Sequence, residues 1–184
     1  MLIKNKSHIF LIIFLLIFLM VVSWFAYSSI SSRSNISSKS PASDSLVGPS
    51  GTYYTDIEGN AVDLSTYLGR VLVVTSWASW SPGSVSDLKL LSELSREYPE
   101  SDVVFLAINR GEPKETASAF LNTLDTNPEV MLVIDRSDVF YSSIGGFSMP
   151  ETVVFDEKGN IYSHKRGGLN RDEITLAIKA LIRG

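Results

Sequence analysis

The sequence contains no cysteine among its 184 residues. This absence excludes disulfide bonds, thiolate metal sites and cysteine nucleophiles within the chain. Histidine is scarce as well: the chain has 2, and only His164 follows the N-terminal third. A single histidine among scattered carboxylates is a weak basis for a metal site. We therefore expect neither a metal nor a cofactor.

Basic side chains are too few in the C-terminal part to neutralise its acidic ones. Residues 51–184 contain 12 basic and 19 acidic side chains, a formal charge of −7. Nucleic-acid binding requires Lys and Arg clustered against phosphate groups. We therefore expect no nucleic-acid partner.

One long uncharged run is present near the N-terminus, "IFLIIFLLIFLMVVSWFAY" at residues 9–27. As a helix it spans about 28 Å, close to the roughly 30 Å hydrocarbon core of a bilayer. Lys4 and Lys6 precede it, which favours a cytoplasmic N-terminus at residues 1–8 and an extracytoplasmic remainder. We interpret the run as a single transmembrane signal anchor in contact with lipid. A cleaved signal peptide, which would release a secreted domain, remains the alternative.

The segment after this run differs sharply in composition. Residues 28–50 are rich in serine and nearly free of apolar side chains. Such a composition is typical of a flexible linker. Residues 51–184 are the predicted folded domain.

Strand and helix signals alternate along that domain. Val71–Trp77 is a nearly continuous β-branched run, typical of a strand covered on both faces. Further strands are predicted at 102–108, 129–135, 152–156 and 161–167, a leading hairpin near 52–60, and helices at 84–98, 113–124, 139–145 and from Arg171, capped by Asn170. Because parallel strands need crossovers whereas the last two strands form a hairpin, this order predicts a mixed sheet between helices.

The step from the buried strand into the next helix carries the most informative motif, "WASWSPGSVSDLK" at residues 77–89. Ser81 is a favourable N-cap and Pro82 a favourable first helical residue. Asp87 is expected to complement the helix dipole from the first turn. Ser81 and Ser84 are not expected to be nucleophiles, because the motif lacks a G-x-S-x-G elbow and His164 is interpreted as a surface residue of the last strand.

This motif and element order resemble the thioredoxin superfamily. The nearest branch is the membrane-anchored thiol-disulfide oxidoreductases of the TlpA/ResA kind, with a redoxin (AhpC-TSA-like) domain. Members typically have W-A-x-W-C-x-x-C-x-x-E-x-P at this step and an apolar-Pro-Thr step before the fourth strand. Here the second step is "GFSMPETVVFD". The resemblance implies a three-layer α/β/α sandwich with a mixed central sheet.

The resemblance also implies a binding groove. By analogy, Trp77 is the more buried tryptophan, Trp80 flanks the site, and Met149–Pro150 is a cis peptide bond. A glycine, either Gly167 or Gly168, closes the site after the last strand. In the family this edge adds an extended substrate peptide to the sheet. The expected binding residues here are Trp80, Ser81, Pro82, Met149 and Pro150.

The chain departs from the family pattern at the positions that carry its chemistry. Ser81 and Ser84 replace both cysteines, and Lys89 replaces the proline. Disulfide exchange requires sulfur at the attacking and the resolving position. The domain therefore has no expected catalytic residue of its own.

Three functions remain open from the sequence. The first is a membrane-tethered, redox-inactive domain that binds a peptide or protein outside the cytoplasmic membrane. The second is a thiol-disulfide oxidoreductase by family, with serines that are either engineered or natural. The third is a structural anchor whose outer domain only mediates assembly.

Overall fold

The computed structural model describes residues 54–124 and 130–183, together with Leu16 and Met20. These two residues belong to the first of two compact units, Met1–Ser40, and the fold described below belongs to the second, Pro41–Gly184. Apart from Leu16 and Met20, the predicted anchor at 9–27 lies outside the described residues, as do the termini 1–8 and the linker 28–50. Within the described residues, no helix has the length and apolar character needed to cross a bilayer.

The described part of the second unit consists of one sheet with helices packed on it. The strands are β1 Tyr54–Asp56, β2 Ala61–Val62, β3 Val71–Trp77, β4 Val103–Arg110, β5 Met131–Asp135, β6 Glu151–Phe155 and β7 Ile161–Arg166. The helices are α1 Gly83–Ser95, α2 Lys114–Leu121, α3 Val139–Ser143 and α4 Arg171–Leu181, with a 3-10 helix at Leu64–Tyr67. The element order agrees with the sequence prediction.

The sheet is mixed, as predicted. Its strand order is β2-β1-β5-β4-β3-β6-β7. The central strands β3, β4 and β5 are parallel, whereas β6 is antiparallel to β3 and β7 is antiparallel to β6. The carboxyl ends of β3, β4 and β7 and the amino end of β6 therefore meet at one edge of the sheet.

Helices cover both faces of the sheet. Alternate residues of β3 belong to two separate hydrophobic clusters, one on each face. Val71 and Val73 pack with apolar residues of α1, α2 and α4 on one face. Leu72 and Val74 pack on the other face with Phe140 of α3 and with the 3-10 helix. All seven residues of β3 are buried, which explains its continuous apolar sequence. The fold is the thioredoxin-like α/β fold that the resemblance implied.

Local signals in the last third of the domain were predicted correctly. The β6–β7 turn is held by Asp156, whose Oδ1 accepts the N–H groups of Lys158 and Asn160 at 2.9 and 2.8 Å. The Asn170 side chain accepts the N–H of Glu173 and caps α4. Both interactions lie within four residues along the chain, so they are visible in the sequence.

Candidate functional site

Four loops meet where β3, β4 and β7 end and β6 begins. They are the segments at 78–82, 111–113, 145–150 and 167–170. Gly167 joins two of them, because its N–H donates to the Pro150 carbonyl at 3.0 Å. The expected groove residues therefore lie together at one end of the sheet, beside Gly167, one of the two glycines that the resemblance offered as closing the site.

Ser81 does not cap the helix, contrary to the sequence prediction. Helix α1 begins at Gly83, and its N-cap, Pro82, makes no side-chain capping bond. The Ser81 hydroxyl instead donates to the Met149 carbonyl oxygen at 3.1 Å. Ser81 is only 3% exposed. Its one proton is therefore engaged in a long-range contact, and little of the side chain faces solvent.

Ser84 is also engaged within the protein. It is fully buried, and its Oγ accepts the Ala78 N–H at 3.2 Å. The two serines at the family's cysteine positions thus tie α1 to the Met149 loop and to the end of β3. His164 bonds to Glu151 instead of to either serine, so no histidine in the described part of the chain activates their hydroxyls.

The loop opposite the start of α1 carries Met149 and Pro150. The Met149–Pro150 bond is cis, as the resemblance implied. Pro150 is buried, whereas Met149 is half-buried. Within residues 54–124 and 130–183, no group accepts a hydrogen bond from the Met149 N–H. Among the described residues, this N–H is therefore an unpaired donor on the residue whose carbonyl binds Ser81.

The two tryptophans of the motif have opposite environments, as expected. Trp77 is fully buried and stacks on Phe120 with 5.6 Å between ring centroids. Trp80 is 62% exposed. The sequence analysis missed a second exposed aromatic side chain, Phe147, which is 86% exposed on the loop before Met149. An aromatic residue beside two glycines and a serine was the available signal, since nothing in that loop buries an apolar ring.

The loop that carries Trp80 is held by a buried carboxylate that sequence reasoning also missed. Glu112 accepts the Ser79 N–H at 2.8 Å and the Ser79 hydroxyl at 2.5 Å, and it accepts Asn109 Nδ2 at 2.7 Å. Burial raises the pKa of Glu112, but these hydrogen bonds outweigh burial and hold the pKa below its usual range. Glu112 is therefore favoured in its charged form, and this carboxylate holds the loop in place.

Asp87 has a different role from the one predicted. It lies beyond the first turn of α1, which contains no acidic residue, and it is 2% exposed. Its two carboxylate oxygens accept the Leu169 N–H at 2.9 and 3.0 Å. Burial raises the pKa of Asp87, and the Leu169 bond opposes this shift in part. Asp87 thus anchors the closing loop at 167–170 and does not act as a dipole partner.

The third buried carboxylate lies directly after Pro150. Glu151 is fully buried; its Oε1 accepts the N–H groups of Phe147, at 2.7 Å, and of Ser148. Its Oε2 lies 2.6 Å from His164 Nε2. The interpretation of His164 as a surface strand residue was therefore wrong, because its side chain is 16% exposed and is bonded to this carboxylate.

The site contains no metal-binding arrangement among the described residues. Within residues 54–124 and 130–183, no three His, Asp or Glu side chains are grouped to ligate a metal ion. The buried carboxylates of Asp87, Glu112 and Glu151 accept backbone N–H groups instead. What the arrangement offers chemically is a fixed surface with a free backbone donor and two exposed aromatic rings.

Comparison with known proteins agrees with this fold. ResA of Geobacillus thermodenitrificans, a thiol-disulfide oxidoreductase, is 27% identical over 128 residues, covering 69% of this chain and 72% of ResA. DsbE of Vibrio cholerae, a thiol:disulfide interchange protein, is 27% identical over 112 residues, covering 61% of this chain and 58% of DsbE. The exposed lipoprotein thioredoxin Etrx1 of Streptococcus pneumoniae superposes with a TM-score of 0.62 at 23% identity, covering 71% of this chain and 98% of that one.

The sequence model of the Redoxin family matches residues 41–178, which is most of the chain. The fold, the Trp77–Trp80 step and the cis proline agree with that match. The chain belongs to the Redoxin family, within the thioredoxin superfamily.

Proposed function

We propose that the domain at 51–184 is a redox-inactive, thioredoxin-like binding domain. Its partner is an extended segment of a peptide or protein, which lies in the groove formed by Trp80, Ser81, Pro82, Met149 and Pro150. The observation that carries this proposal is the engagement of Ser81 and Ser84 in internal hydrogen bonds at the family's cysteine positions.

The chemistry of the site supports binding over redox turnover. Exchange of a disulfide proceeds by attack of a thiolate on sulfur, and the chain contains no cysteine that could attack or resolve. The serine hydroxyls are buried and His164, the histidine that the structure describes, bonds to Glu151 and not to them, so nucleophilic catalysis by these serines lacks a histidine base among the described residues.

The groove retains features that hold a partner without sulfur. The Met149 N–H is free to donate to a carbonyl of an incoming strand, which is the main-chain contact used in strand addition. Trp80 presents an exposed indole beside it. Aromatic side chains supply much of the contact energy at protein interfaces, so Trp80 is the expected anchor.

The proposal includes the location of the domain. Residues 1–8 are the cytoplasmic N-terminus, residues 9–27 the anchor in the lipid bilayer and residues 28–50 a flexible linker that carries the domain outside the cytoplasmic membrane. Protease added to intact cells should then degrade the domain at 51–184. An intact domain after such treatment, with degradation only after lysis, would contradict this topology.

A peptide-binding experiment tests the groove. The full chain in detergent micelles is applied to an array of unstructured peptides, and the bound peptides are titrated against Trp80→Ala and Met149→Asp variants. We expect both variants to weaken binding at least tenfold, about 1.4 kcal/mol. Tyr162→Ala is the matched control, because Tyr162 is 50% exposed on the edge strand β7 and lies outside the groove. Equal loss in all three variants would contradict the groove.

A second candidate is thiol-disulfide oxidoreduction, which the names of the ResA and DsbE relatives favour. In this chain that reaction would require cysteines at 81 and 84, where serines stand. The cysteine-restoration experiment in the Discussion separates the two candidates.

A further inference from the structure

The loop that presents Phe147 and Met149 has an unusual support. A carboxylate that is fully buried accepts two consecutive backbone N–H groups of this loop, from Phe147 and Ser148. That carboxylate belongs to Glu151, which follows Pro150 directly. Removing a carboxylate from water is costly unless its oxygens are well bonded, so these contacts compensate the cost of burying Glu151.

We infer that Glu151 is a positioning residue for the partner site. Its Oε1 accepts the N–H groups of Phe147 and Ser148 and so fixes the backbone that leads into Met149, whose own N–H has no acceptor among the described residues. Phe147 is consequently held with its amide bonded and its ring 86% exposed. This inference goes beyond the proposed function. Only the peptide-binding experiment below depends on the proposed function, and the hydrogen-exchange experiment does not.

Other groups around Glu151 hold the carboxylate itself or the far side of the loop. His164 Nε2 lies 2.6 Å from Oε2, and Arg166 Nε lies 4.0 Å from Oε1. The Tyr141 hydroxyl donates to the Ser148 carbonyl at 2.8 Å, and the Arg110 guanidinium lies 3.7 Å from the centroid of the Tyr141 ring. The Tyr141 hydroxyl therefore constrains a carbonyl of the loop and the Tyr141 carbonyl accepts the Gly146 N–H at 2.9 Å, whereas Glu151 binds the N–H groups of Phe147 and Ser148.

The opposite loop provides a matched control. There Glu112, 8% exposed, accepts the Ser79 N–H beside Trp80 in the same manner. Because different carboxylates hold the two loops, a change at one should leave the amides of the other protected. A general loss of stability would instead expose the amides of both loops and also amides of the central strand β3, such as that of Val73.

Residue-resolved amide hydrogen exchange on the full chain in detergent micelles tests the inference. In Glu151→Leu, which fills the volume without an acceptor, we expect Phe147 and Ser148 to exchange at least about tenfold faster, with Ser79 and Val73 within about twofold of wild type. Glu112→Gln should give the reverse pattern. Unchanged exchange at Phe147 and Ser148, or equal acceleration at all four amides, would overturn the inference.

A milder variant decides the question if Glu151→Leu does not fold. Glu151→Gln keeps one acceptor oxygen at nearly the same volume, so Phe147 and Ser148 should exchange a few-fold faster while Ser79 is unaffected. Equal changes at all three amides would again overturn the positioning role.

Binding to the peptides captured by wild type forms the second arm. We expect Glu151→Leu to weaken peptide binding at least tenfold and Glu151→Gln to retain most of the wild-type affinity. Circular dichroism should show that both variants are folded. If wild type captures no peptide, the proposed function fails, while the exchange pattern still decides the role of Glu151. If peptides bind equally to wild type and to Glu151→Leu, the positioning role fails and the proposed function stands.

Discussion

Gly83 and Pro150 are in such close contact that no side chain fits between them. A Cβ atom built on Gly83 would lie 2.9 Å from Pro150 Cδ. The first residue of α1 therefore packs against the ring of the cis proline, and this contact sets the distance between the two walls of the groove.

Gly83→Ala should consequently destabilise the protein, although alanine is the better helix former. The added methyl group meets a rigid ring, and overpacking of this kind costs about 1–3 kcal/mol, more than the roughly 1 kcal/mol gained in helix propensity. Chemical denaturation measures the difference. Lys89→Ala, at an exposed position of α1, is the control and should change stability by less than about 0.5 kcal/mol. A Gly83→Ala protein as stable as wild type would show that the helix start yields freely.

Cysteines at both positions should give the scaffold the redox activity that we expect the cysteine-free chain to lack. Ser81→Cys/Ser84→Cys places the family's C-x-x-C pair at the start of α1, where the helix N-terminus lowers a thiol pKa. We expect insulin reduction by the double variant, and none above background by the starting chain or by Ser81→Cys alone, since a single thiol has no resolving partner. Insulin reduction by the unaltered chain would refute the redox-inactive proposal.

Glu112 should stabilise the fold at neutral pH and lose this effect in acid. Burial raises the pKa of its carboxyl, but hydrogen bonds from Ser79 and Asn109 outweigh burial and hold the pKa below the usual range. Its contribution to the free energy of unfolding is therefore complete above the unfolded-state pKa and disappears as the pH falls through the folded-state pKa. We expect Glu112→Gln to cost about 1–3 kcal/mol at pH 7, because several donors then share one acceptor oxygen. Thermal unfolding from pH 7 down to pH 3 should show the two proteins converging.

Asp87 should show the opposite pH dependence. Burial raises the pKa of this carboxyl, so the folded state binds its proton more tightly than the unfolded state does. The contribution of Asp87 to the free energy of unfolding is therefore most favourable below about pH 4. It declines as the pH rises through the pKa that Asp87 has in the folded state. Asp87→Asn keeps an acceptor for the Leu169 N–H and removes the buried charge.

The measurement for Asp87 is the difference in Tm between Asp87→Asn and wild type. We expect the variant to gain stability relative to wild type as the pH rises from 3 to 7. The same series on Glu112→Gln provides the comparison, since its difference should change in the opposite direction. Parallel behaviour of the two variants would contradict the assigned environments.

The sequence predicted those features that short segments determine by themselves. The apolar run at Val71–Trp77, the Asn170 cap and the turn before Ile161 each depend on neighbours within a few residues. Their patterns therefore predicted the strands and helices and, with the resemblance, the position of the groove.

Contacts between distant residues account for what the sequence did not predict. Ser81 has the local sequence context of an N-cap, but its hydroxyl donates a hydrogen bond to a carbonyl 68 residues away. Asp87 binds an amide 82 residues away, and Glu112 binds one 33 residues away. The residue types at these positions allow several partners, and only the folded chain selects one. The same reason applies to His164, whose partner across the β6–β7 hairpin is a buried carboxylate.

The two outer strands of the sheet differ in how they discourage aggregation. An uncovered strand edge invites another chain to pair with it, and natural proteins shorten or charge such edges. On one side β2 is only 2 residues long. On the other side β7 carries Lys165, which pairs with Glu173, and the exposed Arg166, and its register with β6 shifts at Val154/Phe155. Both edges of the sheet therefore have features that disfavour pairing between copies of this domain.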